Sequence, residues 1–174
     1  MSQKTTMQTF GLFLALAVIA ASGPFLWQLQ VQEKKGGLEV GKPMPAITDV
    51  SWVGDPAPDL SGKVVVVNAW FVGCPYCHKG MPDLVKLHNQ YRDRDDVVFV
   101  GLTYHTEKER RNVEKFVRRY EAEWPNAYAA RDTLIEFKAD YYPAYWIIDR
   151  TGKIVWNRDS SEDMSDALAA ATQS

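Results

Sequence analysis

Cysteine is scarce in this sequence: two occur among 174 residues, at Cys74 and Cys77. A small secreted scaffold that depends on disulfides for stability needs more cysteines, so the fold must be stabilised by packing. An excess of one charge is also missing, because the formal net charge is −2 and no long basic run occurs. We therefore expect no nucleic-acid partner. The two cysteines are more readily explained by chemistry than by scaffolding.

Charge is absent from residues 10–29, which form an apolar run near the N-terminus. As a helix rising about 1.5 Å per residue, this run would span about 30 Å, the thickness of a bilayer core. A signal peptide usually has a shorter apolar stretch, although Ala20-Ala21-Ser22 offers a cleavage site and keeps cleavage open. Either interpretation places the rest of the chain outside the cytoplasm. The predicted segments are a tail (1–9), a transmembrane anchor or uncleaved signal (10–29), a linker (30–40) and a globular domain (41–174).

Strand and helix patterns alternate along the predicted domain. Residues 63–71 contain four consecutive valines, which is typical of a strand buried on both faces. Residues 75–91 have the apolar spacing of a helix. Further strands are predicted at 97–104, 127–130, 144–148 and 153–156, and further helices at 106–123, 132–139 (capped by Asp132) and 161–171. This order predicts an α/β fold with a mixed sheet.

The cysteines stand at the start of a predicted helix, as Cys74-Pro75-Tyr76-Cys77. Proline is well suited to the first helical turn, where its missing N–H costs nothing. Cys74 is therefore expected among the unpaired amides at the positive end of the helix dipole, which lower a thiol pKa below its free value of about 8.5. Cys77 is expected one turn further in, more buried and less acidic. We predict that Cys74 attacks a partner disulfide and that Cys77 resolves the mixed disulfide.

Residues 60–77 (LSGKVVVVNAWFVGCPYC) resemble the active-site region of thioredoxin-like thiol–disulfide oxidoreductases of the TlpA/ResA type. Residues 40–45 are similar to the start of those domains, and residues 142–149 and 151–155 to their late strand and hairpin. The three motifs occur in the family order over about residues 40–158. The resemblance implies a thioredoxin-like mixed β-sheet flanked by helices, here preceded by a membrane anchor.

The resemblance also implies several site residues. Pro143 would be a cis-proline that faces the cysteines, and Tyr142 would offer backbone groups to a substrate. Asn68 stands where thioredoxins carry a buried aspartate that moves protons for the resolving cysteine, so that base is absent or supplied elsewhere. We expect Trp70 to pack beneath the active site.

By the same resemblance, the protein exchanges disulfides with client proteins and needs no cofactor or metal. Tethered members act as reductants outside the cytoplasm, for example in cytochrome c maturation, and receive electrons from a membrane thiol-transfer protein. Oxidation of client thiols is the alternative direction.

Other interpretations of the pair stay open at this point. Cys74, Cys77 and His78 spell the attachment motif of a c-type haem, although two long buried strands and a hairpin fit poorly with a small cytochrome. A purely structural disulfide would close too short a loop to stabilise much. A zinc site from these three residues and His105 has irregular ligand spacing. A thioredoxin-fold binding module that has lost turnover is also possible, because Asn68 departs from the usual acid.

Two histidines are candidate modulators of the Cys74 pKa. His78 follows Cys74 by four residues, and a protonated imidazole close to the sulfur would make it more acidic. His105 follows a predicted strand, and the carboxyl ends of parallel strands meet at the functional face of α/β folds. For each, we favour the simpler interpretation: a solvated side chain in the first helical turn for His78, and an ordinary loop residue for His105.

Overall fold

A computed structural model describes residues 37–54 and 57–174 of the chain. The predicted anchor at 10–29 and the tail before it lie outside these residues. Among the described residues, no helix is both long enough and apolar enough to cross a membrane.

The predicted alternation of strands and helices is confirmed. The elements are β1 (Ser51–Val53), β2 (Val64–Ala69), α1 (Pro75–Tyr91), β3 (Val97–Leu102), α2 (Arg110–Tyr120), β4 (Asn126–Tyr128), α3 (Arg131–Glu136), β5 (Ala144–Ile148), β6 (Ile154–Asn157) and α4 (Met164–Ala171). The strands form one six-stranded sheet in the order β1-β4-β3-β2-β5-β6. Strands β2, β3 and β4 run parallel, whereas β1, β5 and β6 are antiparallel to their neighbours. The fold is a thioredoxin-like α/β fold with a mixed sheet.

Strand β2 is the centre of the sheet, and all six of its residues are buried. Because side chains alternate along a strand, Val64 and Val66 face one side and Val65 and Val67 face the other. The first face packs against α1, α2 and α4, and its core includes both cysteines. The second face is covered by α3 and by the segment that leads into β1. The alternation places Asn68 and Trp70 on the face that carries the cysteines.

The chain is bonded to the domain from Leu38 onward. The amide of Leu38 donates to the Phe137 carbonyl at 2.9 Å, and its carbonyl accepts from Trp146 Nε1 at 3.2 Å. Both bonds involve a residue that falls in the predicted linker 30–40. The segment that packs on the second face of the sheet therefore starts before residue 41.

The helix predicted at 106–123 is shorter than expected. It begins as a 3₁₀ turn at Glu107–Glu109, with a capping box between Thr106 and Glu109, and continues as α2. It ends at Tyr120 because Glu121 adopts the left-handed conformation, with φ of 54°. The helix thus stops three residues before its predicted end at residue 123.

Two smaller predictions differ from the structure, and one strand was not predicted. Asp132 does not cap α3, because the cap position is Ala130 and Asp132 lies in the first turn, where its charge suits the helix dipole. The last helix begins three residues later than predicted, at Met164, and is capped by Asp163. Strand β1 was missed, since three residues are too few to show a period.

Phe137 offers a test of the second core. Its side chain is fully buried and packs against Trp146, with ring centroids 4.9 Å apart. We expect Phe137→Ala to lower the free energy of unfolding by about 3–5 kcal/mol in urea titrations, because the cavity adds to the lost burial. Ile135→Ala is the control: its side chain is 64% exposed, so the change should stay within about 0.5 kcal/mol. Equal effects of the two variants would contradict this description of the core.

Candidate active site

A tight turn carries the chain from the end of β2 to the first cysteine. The turn runs from Phe71 to Cys74 and is closed by the Cys74 amide, which donates to the Phe71 carbonyl at 3.2 Å. Cys74 has extended backbone angles (φ −86°, ψ 109°) and occupies the N-cap of α1, with Pro75 immediately inside the helix. The central strand therefore delivers the first cysteine directly to the start of a helix.

Cys74 and Cys77 form a disulfide with their Cα atoms 5.2 Å apart. The Cys77 amide donates a hydrogen bond to Cys74 Sγ at 3.0 Å. The expected difference in burial is absent: the residues are 2% and 1% exposed, because the disulfide holds both sulfurs against the same core. The two sulfurs differ in hydrogen bonding, because Cys74 Sγ accepts a bond from the first turn of the helix.

An aromatic rim, defined here as Phe71, Tyr104 and Tyr142, lies beside this turn. The Phe71 ring contacts Tyr142 and Tyr104 at centroid distances of 5.3 and 5.6 Å, and the two tyrosines are 5.9 Å apart. The peptide bond between Tyr142 and Pro143 is cis, which is the conformation that the family resemblance implies. The rim thus brings the chain at Tyr142 next to the turn that carries Cys74.

Two grooves flank the Tyr142-Pro143 segment. One, of about 800 Å³, is lined by Tyr76, Gly80, Pro143, Tyr145 and Arg158 among others. The other, of about 750 Å³, is lined by Tyr104, Glu109, Ile135 and Tyr142 among others. Tyr76 lies between the two cysteines in the sequence, is 70% exposed and lines the first groove. The surface around the cysteines therefore has concave faces on both sides of Pro143.

Trp70 and Asn68 lie beneath the cysteines, on the same face of the sheet. Trp70 is fully buried and stacks on Phe116 with centroids 4.2 Å apart, within the core that contains both cysteines. Asn68 is 1% exposed, and its side-chain amide has no hydrogen-bond partner in the part of the chain that the structure describes. An amide cannot accept a proton as a carboxylate does, so position 68 supplies no base.

His78 is held inside the site, and the solvated side chain that we favoured is wrong. Its Nε2 donates to the Val72 carbonyl at 2.8 Å, and its Nδ1 lies 2.7 Å from the Tyr120 hydroxyl. The ring packs against Phe116 at a centroid distance of 5.0 Å. The first turn of α1 is therefore connected both to the turn before Cys74 and to α2.

His105 is buried beside the same turn, so it is not an ordinary loop residue. Its Nε2 accepts the Val72 amide proton at 3.0 Å, and its Nδ1 donates to Glu109 at 2.9 Å. Hydrogen bonds from the Thr106 amide and then from His105 lower the pKa of Glu109. The position of His105 just beyond β3, which runs parallel to β2, was the sequence signal for this contact.

Arg158, Tyr120 and Glu109 are site residues that sequence reasoning missed. The Arg158 guanidinium donates to the Pro143 carbonyl and lies 5.7 Å from the centre of the Tyr141 ring. The antiparallel pairing of β5 with β6 brings Arg158 there, and that hairpin was predictable. Tyr120 offers no such signal, because it meets His78 through helix packing. Thr106 and Glu109 do have the Thr-X-X-Glu spacing of a capping box, which marks the start of a helix but not the contact with His105.

The arrangement favours dithiol chemistry over the two metal-based interpretations. Both sulfurs are joined to each other, and both ring nitrogens of His78 are engaged by protein groups. A cysteine pair at the start of a helix, on a mixed sheet of this order, defines a thiol–disulfide oxidoreductase of the thioredoxin-like class.

Comparisons with known proteins agree with this class. The sequence model of the Redoxin family matches residues 39–171, and the chain belongs to that family. It is 28% identical to the thiol-disulfide oxidoreductase ResA of Bacillus cereus over 149 residues, which cover 84% of each chain. It is 37% identical to the thiol:disulfide interchange protein DsbE of Pseudomonas aeruginosa over 109 residues, 60% of this chain and 55% of that protein.

Solved structures share the fold. A thiol-disulfide isomerase from Corynebacterium glutamicum superposes with a TM-score of 0.64 at 24% identity, covering 76% of this chain and 97% of the isomerase. Together with the cysteine disulfide, the family places this protein among the thiol–disulfide oxidoreductases.

The hydrogen bond to Cys74 Sγ predicts an acidic thiol. In the reduced protein, we expect Cys74 to ionise below the free-cysteine pKa of about 8.5, because the Cys77 amide and the helix start stabilise the thiolate. The pH profile of alkylation by iodoacetamide, with the modified site identified by mass spectrometry, measures this. The Cys77→Ser variant keeps the donating amide and leaves one thiol, so it isolates the Cys74 value. Faster labelling of Cys77 than of Cys74 in the unsubstituted protein would contradict the assignment.

Proposed function

We propose that this protein is a membrane-anchored, extracytoplasmic thiol–disulfide oxidoreductase that reduces disulfides in client proteins, with Cys74 as nucleophile and Cys77 as resolving cysteine. The observation that carries the proposal is the Cys77 amide donating to Cys74 Sγ at the first turn of α1. A donor in that position stabilises negative charge on Cys74, which favours it as the attacking sulfur.

The exchange proceeds in two displacements. The Cys74 thiolate attacks one sulfur of the client disulfide, forming a mixed disulfide and releasing one client thiolate. Cys77 then loses its proton and attacks Cys74 Sγ, which releases the second client sulfur as a thiolate and leaves the Cys74–Cys77 disulfide. Two electrons pass from the protein to the client, so a thiol donor must reduce the pair again.

The remaining site residues support these steps without taking part in bond exchange. Pro75 preforms the first turn of α1, and Trp70 packs beneath the pair. The main chain at Tyr142 and Pro143, with the exposed Tyr76, provides the surface on which the client segment binds. Because residue 68 is asparagine, the proton of Cys77 must pass to a group other than that side chain.

The location and the partners rest on the N-terminal sequence and on the family resemblance. The uncharged run at residues 10–29 would anchor the protein, with the part of the linker before Leu38 as the tether and the catalytic domain on the extracytoplasmic side. The resemblance to tethered TlpA/ResA-type proteins supports a membrane thiol-transfer protein as electron source and clients such as apocytochromes c. Oxidation of client thiols by the same pair is the second candidate, since the chemistry is reversible.

Trapping tests the roles of the two cysteines. In Cys77→Ser, the second displacement is blocked, so a mixed disulfide through Cys74 should accumulate with a disulfide-containing model client and be visible on non-reducing gels. The Cys74→Ser variant is the matched control and should trap far less. A predominant adduct through Cys77 in that control would reverse the assignment.

The reduction potential tests the direction. A protein that reduces clients should have a potential near or below about −270 mV, as thioredoxin does, whereas an oxidant would lie near about −120 mV. Equilibration with glutathione or dithiothreitol buffers, followed by alkylation and mass spectrometry, gives the value. A potential near about −120 mV would refute the reductant proposal and establish the oxidant alternative.

A further inference from the structure

The peptide groups of Val72 are held from two sides by histidines. Strand β2 ends at Ala69, so the Val72 amide and carbonyl lie beyond the sheet ladder and need other partners. The amide donates to His105 Nε2 at 3.0 Å, and the carbonyl accepts from His78 Nε2 at 2.8 Å. Two side chains from different elements therefore fix one residue of the turn that carries Cys74.

These bonds also assign the protons on both rings. A backbone N–H can only donate, so His105 Nε2 is unprotonated and its proton is on Nδ1, which faces Glu109. A carbonyl can only accept, so His78 Nε2 carries a proton, and its Nδ1 can accept from the Tyr120 hydroxyl. Neutral rings satisfy every bond, and neither histidine needs a positive charge to hold Val72.

Outer partners fix the two rings in turn. Glu109 accepts from His105 through one oxygen and from the Thr106 amide through the other, at 2.9 and 3.0 Å. Tyr120 belongs to α2 and contacts His78 at 2.7 Å. We call His78 and His105, with Glu109 and Tyr120, the Val72 clamp. It connects the turn to α1, to α2 and to the segment after β3.

The clamp matters most when the disulfide is open. In the oxidised protein the bond between the cysteines itself fixes Cys74 above α1. After reduction that bond is gone, and the hydrogen bond from the Cys77 amide persists only if the Phe71–Cys74 turn keeps its shape. Val72 is a central residue of that turn, so whatever holds Val72 holds the reduced nucleophile.

We propose that His78 and His105 are positioning residues of the exchange reaction: by holding the Val72 peptide groups they keep the reduced Cys74 sulfur at the helix start. The inference rests on the proposed role of Cys74 and adds the groups that maintain its geometry. It differs from a direct charge effect, in which a protonated imidazole near the sulfur would stabilise the thiolate. Hydrogen bonding, and not charge, is the property of the histidines that the reaction uses.

Glutamine substitutions separate these two effects. A glutamine amide reaches about as far as the imidazole Nε2 and can accept from the Val72 amide or donate to its carbonyl, but it carries no charge. We therefore compare His105→Ala with His105→Gln and His78→Ala with His78→Gln in the full chain. The matched control is His88→Gln, because His88 packs against Phe99 and Trp124 away from the turn.

The measurements are the alkylation rate and thiolate pKa of Cys74 and the reduction potential of the pair. Each alanine variant should slow alkylation at pH 7 by about two- to tenfold, the range that one net hydrogen bond supplies. The potential should become more negative, by at most about 30 mV for a tenfold change in equilibrium constant, because the reduced form loses stabilisation. Both glutamine variants and His88→Gln should stay close to the unsubstituted protein.

Other results would overturn the proposal. Folded alanine variants with unchanged alkylation and potential would show that the clamp does not position Cys74. Glutamine variants that behave like the alanine variants would show that charge is the operative property, and an equal effect of His88→Gln would show a general loosening. If circular dichroism shows that an alanine variant is unfolded, Tyr120→Phe removes the outer partner of His78, and Glu109→Ala removes that of His105 together with the capping-box bond to Thr106. Both variants must shift the rate in the same direction. Free-cysteine behaviour of the unsubstituted protein would instead refute the proposed role of Cys74.

Discussion

The hydrogen bond between the Cys77 amide and Cys74 Sγ is the interaction on which the rest of the site depends. A helix start has amides without intrahelical acceptors, and here one of them is directed at a sulfur. For this to happen, Cys74 must occupy the N-cap with extended backbone angles while Pro75 starts the helix. The same geometry lets Cys77 reach back to form the disulfide. The predicted acidity of Cys74 and the closure of the pair thus come from a single backbone arrangement.

The sheet supplies the rigid base for that arrangement. Strand β2 is buried on both faces, and its side chains divide between two cores that α1, α2, α4 and α3 cover. Because β2 is central, the turn that follows it emerges between the ends of β3 and β5, where His105 and the Tyr142-Pro143 segment also lie. The cysteines, the histidine and the proposed client-binding surface therefore meet without any long loop.

The polar groups around the cysteine pair are arranged differently from a site in which a buried carboxylate assists the resolving cysteine. Position 68 carries a buried asparagine, which does not titrate, whereas the two histidines and Glu109 form hydrogen bonds at the turn before Cys74. Such bonds satisfy backbone groups that the end of a strand leaves without partners. The chemistry of the site is therefore concentrated at the start of α1, and its polar support comes from elements distant in sequence.

Local sequence determined the cysteine pair at a helix start, the valine-rich central strand, the hairpin at residues 144–157 and the alternation that makes an α/β fold, because each is encoded by neighbouring residues through spacing or turn chemistry. Only the tertiary structure decided which groups His78, His105, Tyr120 and Arg158 bond to, since these contacts join residues 6 to 42 positions apart. It also decided where α2 ends, through a left-handed Glu121 that no pattern indicates. The hydrophobic periodicity of a sequence predicts which face of a helix or strand is buried. It does not predict which side chain of another element contacts that face.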